Sequence, residues 1–303
     1  MTLANVPPPA LGDSPLAVAA AHSGRMAPPH GSGNIGDWLG WTIDTAARTY
    51  ATDLVYYILG AGLTYLLLWV VFRGRLAHRR IDPAYPEARH LRREILFSLA
   101  SLAVFAVIGV GLTFAALAGW TRLYIDFGAY GWFYWLASIA ALLVLHDAYF
   151  YWTHRLMHHR LLFKQFHRLH HRSHNPSPWA AYAFAPPEAF VQGLFLTAAS
   201  FVLPLHPTAI LVFILHQIFR NALGHSGFEI YPAHWQRHPL LKWINTTSHH
   251  HLHHSKGRGN YGLYFLWWDR LMGTEHPDAA ATFARASAAR AAAPAAEPST
   301  ASV

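Results

Sequence analysis

The sequence predicts an all-α, polytopic integral membrane protein with four to five apolar spans and a helical, histidine-rich region on the cytosolic side. Three observations support this fold class. Apolar runs long enough to cross a bilayer recur along the chain. Only 13% of the residues are charged, whereas roughly 25% is typical of soluble domains. Finally, 19 of the 23 histidines fall between positions 127 and 276.

Biased composition marks both ends of the chain. Residues 1–36 are rich in Pro, Gly, Ala and Ser without apolar periodicity, which predicts a flexible tail. Residues 279–303 are predicted to be a low-complexity tail, so the domain should span residues 37–278. The N-terminal stretch lacks the basic start of a secretory signal. Its "GSGNIG" has dinucleotide-loop spacing but follows "APPH" rather than a strand, so no such site is predicted.

The apolar runs predict the spans. Residues 51–72 and 95–119 can each cross the roughly 30 Å hydrocarbon layer as helices. Residues 131–145 form a third run that continues into a histidine-bearing helix. Residues 189–205 and 207–222 meet at "LPLHP", which predicts a hairpin of two spans with a proline-marked tip.

The arginine-rich loop of residues 73–93 sets the predicted orientation. It carries seven arginines against two carboxylates, and the positive-inside rule makes it cytoplasmic. Alternation of the spans then places every dense histidine cluster on that same face. Membrane topology accounts for the net charge of +8, and no nucleic-acid partner is predicted. The membrane would be the inner membrane of a bacterium or the endoplasmic reticulum of a eukaryote.

Three histidine clusters have helical spacing, and an α-helix brings such offsets to one face. They are His154 and His158; His167, His170, His171 and His174; and His250, His253 and His254. The chain has no cysteine, and residues 127–276 hold only five carboxylates, so a metal site there must consist mainly of imidazole. So many imidazoles exceed the needs of one ion, since a catalytic zinc takes about three protein ligands. The pattern predicts two metals.

Five motifs between residues 142 and 274 resemble, in order, the signatures of the fatty acid hydroxylase/sterol desaturase superfamily. They are "DAYFYWTHRLMHH", "FHRLHHRSHNPSPWAAYAFAPPE", "LGHSGFEIYP", "TSHHHLHH" and "NYGLYFLWWDRLMGT". The resemblance implies a membrane enzyme with a cytosolic non-haem centre of two iron ions that uses O₂ to hydroxylate or desaturate a lipid. The electrons would come from a separate protein, which is cytochrome b5-like, a ferredoxin or a reductase.

The resemblance also implies the ligands, residue by residue. They are His154, His158, His167, His170, His171, His250, His253 and His254, with His225 as a further family histidine. At this point, fatty acid 2-hydroxylase-like members have a pattern that resembles an H-x-x-x-H pair. This chain has Asn221 in place of the first histidine of that pair, four positions before His225. This departure makes Asn221 a candidate site residue and leaves the site one imidazole poorer or completed by water. The "HSGFE" run is more similar to the sterol C4-methyl oxidase and C5-desaturase side.

For several residues near the predicted ligands, the sequence leaves more than one role open. His159 can replace His158 if the helix turns differently, and His174 can serve as a ligand or support one. Asp147 lies seven residues before His154 and either orients a ligand imidazole or forms a structural salt bridge. In "TSHHHLHH", His249 and His251 point about 100° away from His250 in opposite directions. His249 is predicted to support the site, whereas His251 is predicted to be a bystander.

Two rival functions remain at this point. A membrane metallohydrolase with zinc or another divalent ion would need a general-base carboxylate, as in H-E-x-x-H, and the histidine clusters contain no Glu. A non-catalytic metal-binding or transport protein would carry its histidines along the spans rather than beyond them. The lack of Glu in the clusters and the position of the histidines beyond the spans both favour the oxygenase.

Overall fold

The computed structural model describes Pro29 and residues 34–288, and this part of the chain is helical. Within these residues, isolated backbone bridges such as that between Arg80 and Phe228 occur in place of strands. Nearly all of the predicted N-terminal tail lies outside the described residues, as do the last residues of the C-terminal tail.

The helices of the described chain are labelled α1 to α9. They are α1 (Ile35–Val71), α2 (Ala88–Leu117), α3 (Gly131–Met157), α4 (Phe163–Phe166), α5 (Pro186–Val202), α6 (Pro207–Gly224), α7 (Thr247–Lys256), α8 (Trp267–Leu271) and α9 (Ala279–Ser287).

Three of these helices, α1, α2 and α3, are long and apolar enough to cross a membrane. The α1 helix begins at Ile35 because the Asn34 side chain caps it, accepting a hydrogen bond of 2.9 Å from the Gly36 amide. It continues through π-helical turns to Val71. The helix therefore starts well before the apolar run that predicted it.

The helices α5 and α6 follow one another through a short turn at the predicted proline-marked tip. They have 17 and 18 residues, and the rings of Phe195 and Phe213 meet between them at 5.8 Å. Pro207 occupies the first turn of α6, where its missing N–H is not needed. The prediction of an all-α, polytopic membrane protein is confirmed, but three of the described helices are long and apolar enough to span a membrane, rather than the predicted four to five, and α5 and α6 are not among them.

The helix pair α1 and α2 packs closely around a glycine. A Cβ atom at Gly109 would lie 2.6 Å from Cγ2 of Thr49, so a larger residue there would force the helices apart. Below this contact, Leu102 and Ile218 are fully buried in a core that joins α1, α2 and α6. This core adjoins the cavity described below, because Tyr182 and Phe184 belong to both.

The packed chain extends past the predicted domain boundary at residue 278. Residues 279–287 form α9, and Phe283 is fully buried. The alanine-rich composition of residues 279–303 concealed this helix, which buries Ala279, Phe283 and Ala286 on one face. Only the residues after 288 of the predicted C-terminal tail lie outside the described chain.

Candidate metal centre

The first cluster lies at the end of α3. His154 is in the last turn and His158 caps the C-terminus, where its backbone N–H bonds to the His154 carbonyl. His154 is buried, and His158 is partly exposed. The neighbouring His159 is exposed, so the alternative spacing is not the one that enters the cluster.

The second cluster is not an α-helix. The chain leaves α4 at Phe166, turns, and forms only a short 3₁₀ turn at His170–Arg172. The prediction that these histidines share one helical face was therefore wrong. Instead the turn directs His167 and His171 to one side and His170 to the other, while His174 remains exposed.

The third cluster is helical, as its spacing predicts. All of its histidines lie in α7, which ends where Gly257 adopts a left-handed conformation with φ 71°. His250, His253 and His254 are buried. They do not converge on one point, however, because His253 faces a different group of imidazoles from His250 and His254.

Nine imidazoles assemble into two groups. Each ring offers one nitrogen as a ligand atom, and the ligand nitrogens of a group all lie within 4.8 Å of one another. The five-histidine group consists of His154, His158, His167, His171 and His253, and the four-histidine group consists of His170, His225, His250 and His254. These are the nine residues that the sequence predicted as metal ligands. The described residues of both groups offer imidazole alone, without a carboxylate.

Short distances join the Nε2 atoms within each group. In the five-histidine group, Nε2 of His154 and His167 are 2.9 Å apart, and Nε2 of His171 and His253 are also 2.9 Å apart. In the four-histidine group, Nε2 of His225 lies 3.0 Å from His250, 3.1 Å from His254 and 3.2 Å from His170.

The hydrogen bonds made by the Nδ1 atoms determine which nitrogen of each ring carries the proton. Nδ1 donates to a backbone carbonyl in His154 (2.8 Å, Tyr261), His253 (2.7 Å, Gly259), His225 (2.7 Å, Asn221), His254 (2.9 Å, Ser173) and His170 (3.4 Å, Ala183). A carbonyl can only accept, so the proton of each neutral ring is on Nδ1 and Nε2 presents a lone pair. Facing lone pairs about 3 Å apart repel one another, and a cation between them removes this repulsion. The donor set fits a metal in both groups.

Burial keeps these rings neutral. It lowers the pKa well below the ordinary 6.5 in His167, His170, His171, His250, His253 and His254, and the neighbouring imidazoles lower it further. Burial also lowers the pKa of His225 to about 4. A neutral imidazole is the form that binds a metal, so the groups are electrostatically prepared for cations.

Glu188 is a functional candidate that sequence reasoning missed. The first turn of α5 directs its carboxylate to Nδ1 of His167, 2.6 Å away, and both side chains are buried. A carboxylate in this position fixes the orientation of an imidazole and increases its basicity. The available signal was that Glu188 is one of only five carboxylates in the histidine-rich stretch.

Asp147 and Asn221 differ from their predicted roles. Oδ1 of Asp147 accepts from the backbone amides of Tyr264 and Phe265 at 2.8 and 3.2 Å, and among the described residues its Oδ2 has no hydrogen-bond partner. Neither the predicted contact with an imidazole nor the salt bridge forms. Asn221 reaches the four-histidine group only through its backbone carbonyl, while its amide group donates to Ala181 at 2.6 Å.

His249 and His251 lie on the flanks of α7. His249 bonds to Thr246 and to Glu275, at 2.9 and 3.2 Å, and so supports the helix without joining either group. His251 is buried, and its Nδ1 has no hydrogen-bond partner within residues 34–288. The structure thus separates both from the nine clustered imidazoles, as helical geometry predicted.

A cavity of about 300 Å³ lies beside the metal centre. Helices α1, α2, α3, α5 and α6 line it, mostly with apolar side chains. Two of its aromatic wall residues contact the clustered imidazoles: Phe150 meets His154 at 5.0 Å and Phe184 meets His170 at 5.3 Å between ring centroids. The cavity is of a size that binds small lipophilic molecules.

Comparison with known proteins agrees with this arrangement. The family model described as fatty acid hydroxylase matches residues 139–274. Lathosterol oxidase of Mus musculus is 35% identical over 246 residues, which cover 78% of this chain and 79% of that protein. A Delta(7)-sterol 5(6)-desaturase of Aspergillus fumigatus is 32% identical over 77% of this chain and 78% of its own length. No solved structure matches significantly.

The matched region includes all nine clustered histidines, and the likeness to the sterol oxidases extends over most of both chains. The chain belongs to the fatty acid hydroxylase/sterol desaturase superfamily.

Proposed function

We propose that this protein oxidises a C–H bond of a sterol-type lipid with O₂, using two iron ions held by the nine imidazoles. The observation that carries the proposal is the convergence of Nε2 atoms in two adjacent groups, in which carbonyls and Glu188 fix six of the nine Nδ1 atoms. That geometry supports two cations, each in a site of neutral nitrogen ligands.

The choice of iron depends on the family and on the chemistry. Imidazole ligands suit zinc, copper, iron and nickel alike, so the ligands alone do not select the ion. Oxidation of an unactivated C–H bond requires a redox-active metal, and bound iron supplies the activation of O₂. The five-histidine group would hold one ion and the four-histidine group the other.

The chain itself binds and positions the lipid. The apolar cavity can take up a hydrophobic substrate from the bilayer and exclude bulk water from the reacting end. Phe150 and Phe184 line the cavity and also contact the imidazoles, so the substrate's reactive carbon would approach the metals beside these rings. Relatives named as a lathosterol oxidase and a Delta(7)-sterol 5(6)-desaturase support a sterol substrate and favour desaturation over hydroxylation.

Each turnover consumes two electrons, and we infer that an acidic electron-transfer protein delivers them at the cytoplasmic face. His158 is the partly exposed ring of the five-histidine group, and it contacts Phe163 and Tyr261. The two segments that carry these aromatic residues expose six cations: Arg160, Lys164, Arg168, Arg172, Lys256 and Arg258. Residues 155–187 and 255–268 contain no carboxylate, so an acidic partner would be attracted to this surface.

The proposal is tested by loading the purified protein with iron or with zinc and supplying lathosterol, O₂ and a chemical reductant. Mass spectrometry should detect a product that has lost two hydrogens with iron only, whereas a hydroxylase would add one oxygen. Equal activity of the zinc-loaded protein, or a hydrolysed product, would contradict the assignment. Two irons per chain are expected by elemental analysis.

A further inference from the structure

Asp53 is an unusual residue to find in the wall of the apolar cavity. It lies on the membrane-spanning helix α1, and it contributes the one carboxylate among the described lining residues. Within residues 34–288, no hydrogen bond or ion pair engages its side chain. A carboxylate in apolar surroundings is costly unless a donor satisfies it, so this position indicates a ligand that brings a donor.

Gln217 lines the same cavity from α6, and its orientation is fixed. The Tyr182 hydroxyl donates to Oε1 of Gln217 at 2.6 Å, and the Tyr182 ring stacks on Tyr57 at 6.0 Å. Because Oε1 is occupied, the N–H groups of Gln217 are left to donate. The cavity therefore offers a donor as well as an acceptor.

The two groups lie near each other. Tyr57, whose ring stacks on Tyr182, lies about one helical turn beyond Asp53 on α1. Tyr182 thus connects Asp53 to Gln217 within one polar patch, while the remaining wall is largely apolar, with Phe105 and Phe195 among its residues.

We propose that Asp53 and Gln217 hold the hydroxyl group of a lipid alcohol and so select the substrate, an inference that rests on the proposed oxidation of a sterol-type lipid. A hydroxyl donates to the Asp53 carboxylate and accepts from the Gln217 amide, and both requirements are met by one atom. A fatty acid carboxylate would be repelled by Asp53, and a fatty acyl ester has no donor to offer. Asp53 and Gln217 thus determine substrate specificity and are separate from the imidazoles that hold the metal.

The test compares lathosterol with its O-methyl ether, which keeps the shape but cannot donate. In the wild-type protein the alcohol should have a KM roughly ten- to a hundredfold lower than the ether, the usual range for a hydrogen bond to a charged group. Asp53→Leu should reduce this ratio to near one, with little change in kcat for the ether. Asp53→Asn keeps an acceptor oxygen and should give an intermediate ratio.

Asp44→Asn is the matched control, because Asp44 lies on the same helix but pairs with Arg48 at 2.6 Å, away from the cavity. It should keep the wild-type ratio, and unchanged metal content in all variants shows that they fold. An unchanged preference for the alcohol in Asp53→Leu would overturn the assignment.

Equilibrium binding of both sterols to the purified protein, with and without metal, separates this inference from the proposed activity. Binding that prefers the alcohol only when Asp53 is present supports the hydroxyl site even if no lipid is oxidised. Oxidation of both sterols with the same KM in wild type and Asp53→Leu would refute the hydroxyl site and leave the oxidase function intact.

Discussion

Replacing Glu188 by Gln should weaken metal binding without removing a ligand. The carboxylate accepts from Nδ1 of His167 at 2.6 Å, and the two side chains are only 1% and 2% exposed. A hydrogen bond to a charged group contributes about 1.5–3 kcal/mol, and loss of a residue that orients a metal-bound histidine typically costs about 10- to 100-fold in metal affinity. Glutamine keeps an acceptor oxygen but loses the charge, so we expect a loss of about tenfold.

The assay is a competition for iron between the purified protein and a chelator, with metal content measured at each chelator concentration. Glu94→Gln is the control, because Glu94 is equally buried but accepts from the Ser177 hydroxyl rather than from an imidazole. It should lower the unfolding temperature and leave the iron affinity unchanged. If the two variants lose affinity equally, or neither does, the assignment of Glu188 to metal support is wrong.

Three further predictions concern α7 and its surroundings. His253→Gln should remove one metal per chain and abolish lipid oxidation, whereas His251→Gln should keep both metals; elemental analysis and a product assay distinguish them. Phe283→Ala should cost about 3–5 kcal/mol of unfolding free energy, measured by denaturant titration, because Phe283 is fully buried; a loss below about 1 kcal/mol would contradict the packing of α9. The hydrogen bond with His249, aided by Arg270, lowers the pKa of Glu275 from 4.5 to about 2. The charged carboxylate therefore stabilises the fold above pH 4.5, and this contribution is lost as the pH falls towards 2. The unfolding temperatures of wild type and Glu275→Gln should differ at neutral pH and converge in acid; a constant difference would show that the ionised carboxylate contributes nothing.

The sequence was sufficient to predict what depends on local periodicity. The apolar runs gave the long helices, and the spacing of His250, His253 and His254 gave the helix that carries them. It was not sufficient where distant segments determine the geometry. His170 and His171 are adjacent in sequence but serve different groups, on a short 3₁₀ turn where the spacing predicted an α-helix.

The role of Asp147 shows the same limit. Its spacing from His154 suggested a contact on one helical face, yet its partners are backbone amides of Tyr264 and Phe265, which lie more than a hundred positions later. The carboxylate that does reach an imidazole, Glu188, has no helical relation to its partner His167. Spacing along one helix therefore identifies candidate ligands better than it identifies the residues that orient them.

The position of α7 links the two metal groups. His253 belongs to the five-histidine group, and His250 and His254 belong to the four-histidine group. On a helix, His253 points roughly 60° away from His250 and roughly 100° away from His254, which allows it to serve a different site. A rotation or shift of α7 would therefore disturb both groups together. His249, held by Glu275, and the buried face of α9 both restrain this helix. The segment that composition assigned to a tail thus contributes to the geometry of the metal centre.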